Sequence, residues 1–120
     1  MDENTNIKEI KEKIKKYCEA RDWDQFHSAK ELAIALIIES AELLEHFRFK
    51  NEKEVEELFK NPKKREDIED EIGDVVYFLF RLAQRYDVDI SESFDKKLSK
   101  SAKKYPVEKA MGSNKKYTEL

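Results

Sequence analysis

The chain has only two glycines, two prolines and one cysteine among its 120 residues. Four Gly and Pro residues are too few for the turns of an all-β sandwich or a doubly wound α/β fold. They also exclude collagen-like and low-complexity classes. A lone Cys18 excludes an intrachain disulfide and a Cys-based zinc site. Two histidines, His27 and His46, are too few for a His-rich metal site. No apolar run exceeds the seven residues from Leu32 to Ile38, far short of a membrane span. The N-terminal Met-Asp-Glu-Asn lacks the basic-then-apolar layout of a signal peptide. A cytoplasmic protein with no membrane partner is therefore expected. Neither sign of charge is in excess: 24 Lys and Arg against 27 Asp and Glu leave a net of −3. That balance argues against disorder by self-repulsion and gives no basic face for a nucleic-acid polymer.

What is present is helical periodicity. Ile7, Ile10, Ile14, Tyr17 and Cys18 recur at spacings of three and four, marking an amphipathic helix from Ile7 to about Ala20. The segment from Arg21 to His27 breaks the pattern. Ser28 with Glu31 forms a capping box that opens a second helix, running to about Phe49. That helix is apolar on more than one face between Leu32 and Leu44, which calls for burial on several sides and hence a subunit interface. A short helix over Glu52–Phe59 ends at Asn61-Pro62. A long one follows from about Lys64 to Tyr86, acidic at first and then almost entirely apolar. Asp89 and Glu92 cap a last helix, which Pro106 stops at about Tyr105. The expectation is an all-α helix bundle of four to five helices, one domain over residues 1–120, with a mobile tail from about 107.

Two acid pairs stand out. Glu39 and Glu42 interrupt an apolar segment, and Glu71 and Asp74 repeat the same spacing in the long helix. Residues three apart share a helix face. Two such helices packed antiparallel bring four carboxylates together, an arrangement that is unfavourable without a cation. Oxygen-only ligands favour Mg²⁺, with Mn²⁺ as a possible substitute. Acid pairs also coat solvated helix faces, and Glu52, Glu54, Glu56 and Glu57 read that way. A di-iron carboxylate site fails, because residues three before His46 and His27 are Leu43 and Asp24 rather than Glu. Trp23, Phe26 and His27 offer rings that either stack on a nucleobase or staple the connection to the core, the second being favoured for Phe26. Lys97, Lys100, Lys103 and Lys104 recur along the last helix, mostly solvated, with one or two in reach of phosphates if that helix lines the site.

Glu39-x-x-Glu42, 28 intervening residues, then Glu71-x-x-Asp74 resembles the signature of the MazG-like all-α nucleoside triphosphate pyrophosphohydrolases. The flanks Arg21–His27, Ala41–Phe47, Lys104-Tyr105-Pro106 and Lys116–Leu120 are similar to the dCTP pyrophosphatase branch. The resemblance runs from about Ile7 onward. It implies Mg²⁺-dependent hydrolysis of a nucleoside triphosphate to monophosphate and pyrophosphate, in a house-cleaning role on dCTP or modified pyrimidine nucleotides. It implies that Glu39, Glu42, Glu71 and Asp74 are catalytic and hold the metal. It implies a homodimer or homotetramer in which a neighbouring chain completes the base pocket. Trp23 stands where the family places a base-contacting tryptophan, and Lys97 where it places a phosphate-contacting lysine. Phe49 replaces a second tryptophan, Phe78 a tyrosine, Ser101 an asparagine, and Ile14 a histidine of the animal dCTP enzymes. The alternatives are a non-catalytic helical oligomer that binds nucleotide or a partner protein, and a related pyrophosphohydrolase with another base preference.

Overall fold

Short polar side chains set where the helices begin. In a computed structural model that describes residues 1–120, Asn6 accepts the Glu9 backbone N–H at 2.9 Å and opens α1 (Ile7–Glu19). Ser28 accepts from the Glu31 N–H at 3.3 Å and opens α2 (Ala29–Glu45). The reciprocal half of that cap is missing, because the Glu31 carboxylate pairs with Lys30 instead. A full capping box occurs at Asn51 and Glu54, opening α3 (Glu52–Lys60). Asn61 both ends α3 and caps α4 (Pro62–Arg85), with Pro62 at the first helical position, where a missing N–H costs nothing. Asp89 accepts the Glu92 N–H at 2.8 Å and opens α5 (Ile90–Lys104). After Pro106 come α6 (Val107–Ala110) and a 3-10 turn over Tyr117–Glu119; another such turn spans Asp24–Phe26. The chain contains no strand, and its class is all-α.

The second helix ends four residues earlier than its apolar pattern predicts. The N–H groups of His46, Phe47 and Arg48 donate three residues back rather than four, which tightens the chain out of α geometry. Phe49 then takes φ +61°, a left-handed conformation that reverses the chain toward the Asn51 cap. Asp22 and Asp87 take the same conformation just beyond α1 and α4.

The chain forms two compact units, Met1–Asp87 and Val88–Leu120. In the first, α4 is the hub against which α1, α2 and α3 all pack. Its core comprises Ile14 and Cys18 of α1, Leu32 of α2, and Ile68 and Ala83 of α4, together with one charged side chain, Arg81. The Tyr86 hydroxyl accepts the Ala29 N–H at 2.7 Å, tying the start of α2 to the end of α4. In the second unit, Tyr117 packs edge-on against Tyr105 at 6.0 Å and lies under Lys104. No helix is long and apolar enough to cross a membrane.

Leu32 is 1% exposed at the α2 end of the core. Leu32→Ala therefore removes buried methyls and leaves a cavity, an expected loss of about 2–5 kcal/mol. Urea unfolding followed by circular dichroism checks this; a loss below about 0.5 kcal/mol would show that the site collapses or is not core.

Candidate metal centre

Helical periodicity puts Glu39 and Glu42 on the face of α2 that meets α4, and Glu71 on the face of α4 that meets α2. One carboxylate oxygen from each of these three residues lies within 4.8 Å of the others. Glu39 Oε2 and Glu71 Oε2 are buried and accept no hydrogen bond. Burial and the neighbouring acids, Glu42 foremost, push the Glu39 carboxyl up to about 7. Burial and then Glu42 raise Glu71 as well, and His46, whose Nε2 lies 3.9 Å from Glu71 Oε1, offsets part of this. Asp74 lies one turn along α4, outside the close trio, but its charge acts on both Glu39 and Glu71. The donor set is all oxygen, and its orphaned buried oxygens lack positive partners. It fits a hard divalent cation such as Mg²⁺ or Mn²⁺.

Asp74 also lines a cavity of about 380 Å³, with Lys13, Ile14, Tyr17, Trp23 and Tyr77 as its other walls. The rings of Tyr17 and Trp23 meet edge to face at 5.6 Å, and those of Tyr17 and Tyr77 at 6.1 Å. The Arg21 guanidinium lies 3.8 Å over the Tyr17 ring. The Tyr77 hydroxyl sits 3.2 Å from the buried Cys18 sulfur, and burial followed by this contact holds the phenol well above its usual pKa. An apolar aromatic slot thus opens beside the last of the four acids.

The sequence-derived candidates fall into three groups. Glu39, Glu42 and Glu71 come together, with Asp74 bridging from them to the cavity that Trp23 walls. Phe78 is half-buried and packs edge-on against Tyr77 at 4.8 Å. His27 lies with its ring 6.2 Å from Trp23, and its Nδ1 accepts from Arg81 Nε at 2.9 Å. Phe49 is 91% exposed, with the Arg48 guanidinium stacked on it. Lys97 and Ser101 belong to α5, in the second compact unit. Phe26, expected to pack, is 62% exposed, because the turn over Asp24–Phe26 directs Asp24 rather than Phe26 toward α4.

Sequence reasoning missed Tyr17, Tyr77 and Arg81. Tyr17 sits at a core spacing of α1, and Tyr77 is one ring in an aromatic run, so neither is distinctive in one dimension. Arg81 did carry a signal, since it is a lone charge between Val75 and Ala83.

The acid cluster gives stability a definite pH dependence. Folding raises the Glu39 carboxyl from an ordinary 4.5 to about 7. Its contribution is therefore fully present below pH 4.5 and lost as pH rises through about 7. In metal-free buffer the wild-type chain should lose thermal stability across that window relative to Glu39→Gln. Melting curves in chelator check this, and parallel pH profiles for the two proteins would contradict it.

The MazG-like family model matches residues 34–120. The dCTP pyrophosphatase 1 proteins of Rattus norvegicus and Homo sapiens are 34% and 33% identical to the chain over 114 residues. Each alignment covers 95% of this chain and 67% of the relative. The crystal structure of a pyrophosphatase from Archaeoglobus fulgidus superposes with a TM-score of 0.79 at 29% identity, covering 86% of this chain and 94% of that one. The family model spans both acid pairs and the relatives align over nearly the whole chain: it belongs to the MazG-like family.

Proposed function

We propose that this chain is a nucleoside triphosphate pyrophosphohydrolase that converts NTP and water to NMP and pyrophosphate, clearing dCTP or modified pyrimidine deoxynucleotides from the cytoplasmic pool. The observation that carries the reading is the carboxylate trio with its two unpaired buried oxygens, set beside an aromatic slot. The similarity to dCTP pyrophosphatase 1 supports the substrate class.

Glu39, Glu42, Glu71 and Asp74 would hold Mg²⁺, or Mn²⁺ in its place. When bound, the ion screens triphosphate charge and makes water a better nucleophile near neutral pH. The chain's own residues do the rest. Glu39 must lose its proton to serve as a ligand, so its position near pH 7 ties loading to pH. One glutamate of the cluster would take the proton from water. Trp23, Tyr17 and Tyr77 receive the base against apolar faces. Phe78 backs Tyr77, and His27 steadies Trp23. By the family resemblance, Lys97 would contact a phosphate and Ser101 would supply a short hydrogen-bonding side chain for the nucleotide. Phe49 presents its ring outward to complete the slot of a neighbouring protomer.

The homo-oligomer has support on α2. Ile34, Ile37 and Leu44 form an exposed stripe on the side of α2 away from Glu39, with Ile37 70% exposed, and the exposed Ile38 flanks Glu42. Such a stripe on a helix this short of polar cover fits a second copy of the chain. A non-catalytic oligomer would account for the stripe but not for the unpaired carboxylates.

Pyrophosphate release from a panel of deoxynucleoside triphosphates tests the reaction. Release should require Mg²⁺, be greatest with a pyrimidine, and fall on the order of a hundredfold or more in Glu42→Gln. No release from any triphosphate would overturn the proposal. Light scattering tests the assembly: Ile37→Glu should reduce the mass of the particle toward that of one chain, and an unchanged mass would move the interface elsewhere.

A further inference from the structure

Arg81 is 1% exposed, a charge in the core of the first unit. Burying a guanidinium is costly unless its donors are met, and an apolar residue of similar size is often as stable or more so. Stability alone therefore does not account for it. Its partners do. Nε donates to His27 Nδ1 at 2.9 Å, Nη1 donates to Gln84 Oε1 at 2.5 Å, and Nη2 donates to Asp24 Oδ1. Arg85 Nη1 lies 3.7 Å from the other Asp24 oxygen, and Arg85 Nη2 donates to the Asp24 carbonyl at 3.4 Å. Asp24 and His27 follow Trp23 by one and four residues. The clamp thus grips the connection immediately after its tryptophan.

Arg81 also shares a helix face with the acids. Along α4, Glu71, Asp74 and Arg81 are separated by three and then seven residues, close to one and two turns. Tyr77, the other α4 wall of the slot, falls between them. Arg81 joins the loop bearing Trp23 to the helix bearing two of the metal-site acids. An arginine suits this task because its five donors lie in a rigid planar fork, which fixes direction as well as distance.

We propose that Arg81 is a positioning residue for the nucleotide: by clamping Asp24 and His27 to α4 it sets Trp23 in register with Glu71 and Asp74. This rests on the reading of Trp23 as a wall of the base slot. The base is then gripped at a fixed distance from the acids, although Arg81 touches neither. Loss of the clamp weakens substrate capture and base discrimination more than it slows turnover of the bound substrate.

Trp23 is the sole tryptophan, so intrinsic fluorescence reports on this one ring. The experiment compares wild type, Arg81→Met, Arg81→Lys and Asp24→Ala. The fluorescence probe is α,β-imido-dCTP with Mg²⁺, and dCTP hydrolysis is measured alongside. Wild-type emission should change on adding the probe. In Arg81→Met and Asp24→Ala the ligand-free emission should shift to the red. The probe Kd and the KM should each rise about tenfold or more, with kcat within roughly threefold. Arg81→Lys should fall between, because an ammonium cannot reproduce the fork. If Arg81→Met does not fold, Asp24→Ala, at a partly exposed position, decides the matter. Wild-type emission that responds to the probe, with variants unchanged in emission and KM, would overturn the role of Arg81 alone. So would a variant that loses only kcat or only thermal stability. Wild-type emission indifferent to the probe while dCTP is hydrolysed would overturn the base-slot reading, and this inference with it.

Discussion

Like charges held together at the α2–α4 seam are the constraint from which the rest of the first unit follows. Each carboxylate of the trio meets the charge of the others, and this repulsion adds to partial burial in raising Glu39 and Glu71. The chain has two ways out. A proton can neutralise one member, which is why Glu39 is pushed to about 7. A divalent cation can neutralise several members at once, and it also satisfies the orphaned oxygens of Glu39 and Glu71. Only the second lets Glu39 stay ionised without adding to the repulsion. The packing of α2 on α4 therefore works as a selection for cation binding, with apolar contacts on either side of the cluster supplying the energy that keeps the charges in place.

Helix α4 sets the spacing of everything else. It touches α1, α2 and α3, and its successive turns carry Glu71, Asp74, Tyr77 and Arg81. At 1.5 Å per residue these four span about 15 Å along one rigid rod. The acids face α2, the tyrosine meets the slot, and the arginine grips the preceding loop. A loop that must present an aromatic ring is poorly determined by its own backbone. Here the positive φ of Asp22, the short turn over Asp24–Phe26 and the Arg81 clamp together leave Trp23 little freedom. Precision at the slot is thus borrowed from the helix rather than built into the loop.

What could be read from the sequence divides along the same physical line. The starts at Ser28 and Asp89 were legible because capping is local, acting on N–H groups within a few residues, whereas Asn61-Pro62, expected only to end α3, also opens α4. The acid trio was legible because helical periodicity converts a spacing of three into a shared face, whatever the partner helix does. The slot was not legible in the same way. Its walls come from α1, the following loop and α4, and no one-dimensional pattern links Tyr17, Trp23 and Tyr77. The end of α2 was misjudged because apolar periodicity continues through Phe47, while backbone hydrogen bonding had already tightened at His46. Arg81 was passed over within an apolar run, although the reasoning that singled out Glu39 and Glu42, charge where burial is expected, applies to it equally.

The two faces of α2 bring the site and the assembly into one problem. Its inner face carries Glu39 and Glu42 toward α4, and its outer face carries Ile34, Ile37 and Leu44. The fully buried Leu32 and the half-buried Leu36 and Leu43 share the inner face with Glu39, so α2 is apolar on more than one side. In a lone chain the outer aliphatic side chains meet water, while Glu39 is partly withdrawn from it beside like charges. Covering the outer stripe with a second copy would remove the first cost and restrict the helix's movement. Cation binding would remove the second and fix the same helix from the other side. Each event orders the element that the other requires, so assembly and ion binding should favour one another through α2 even though they use opposite surfaces.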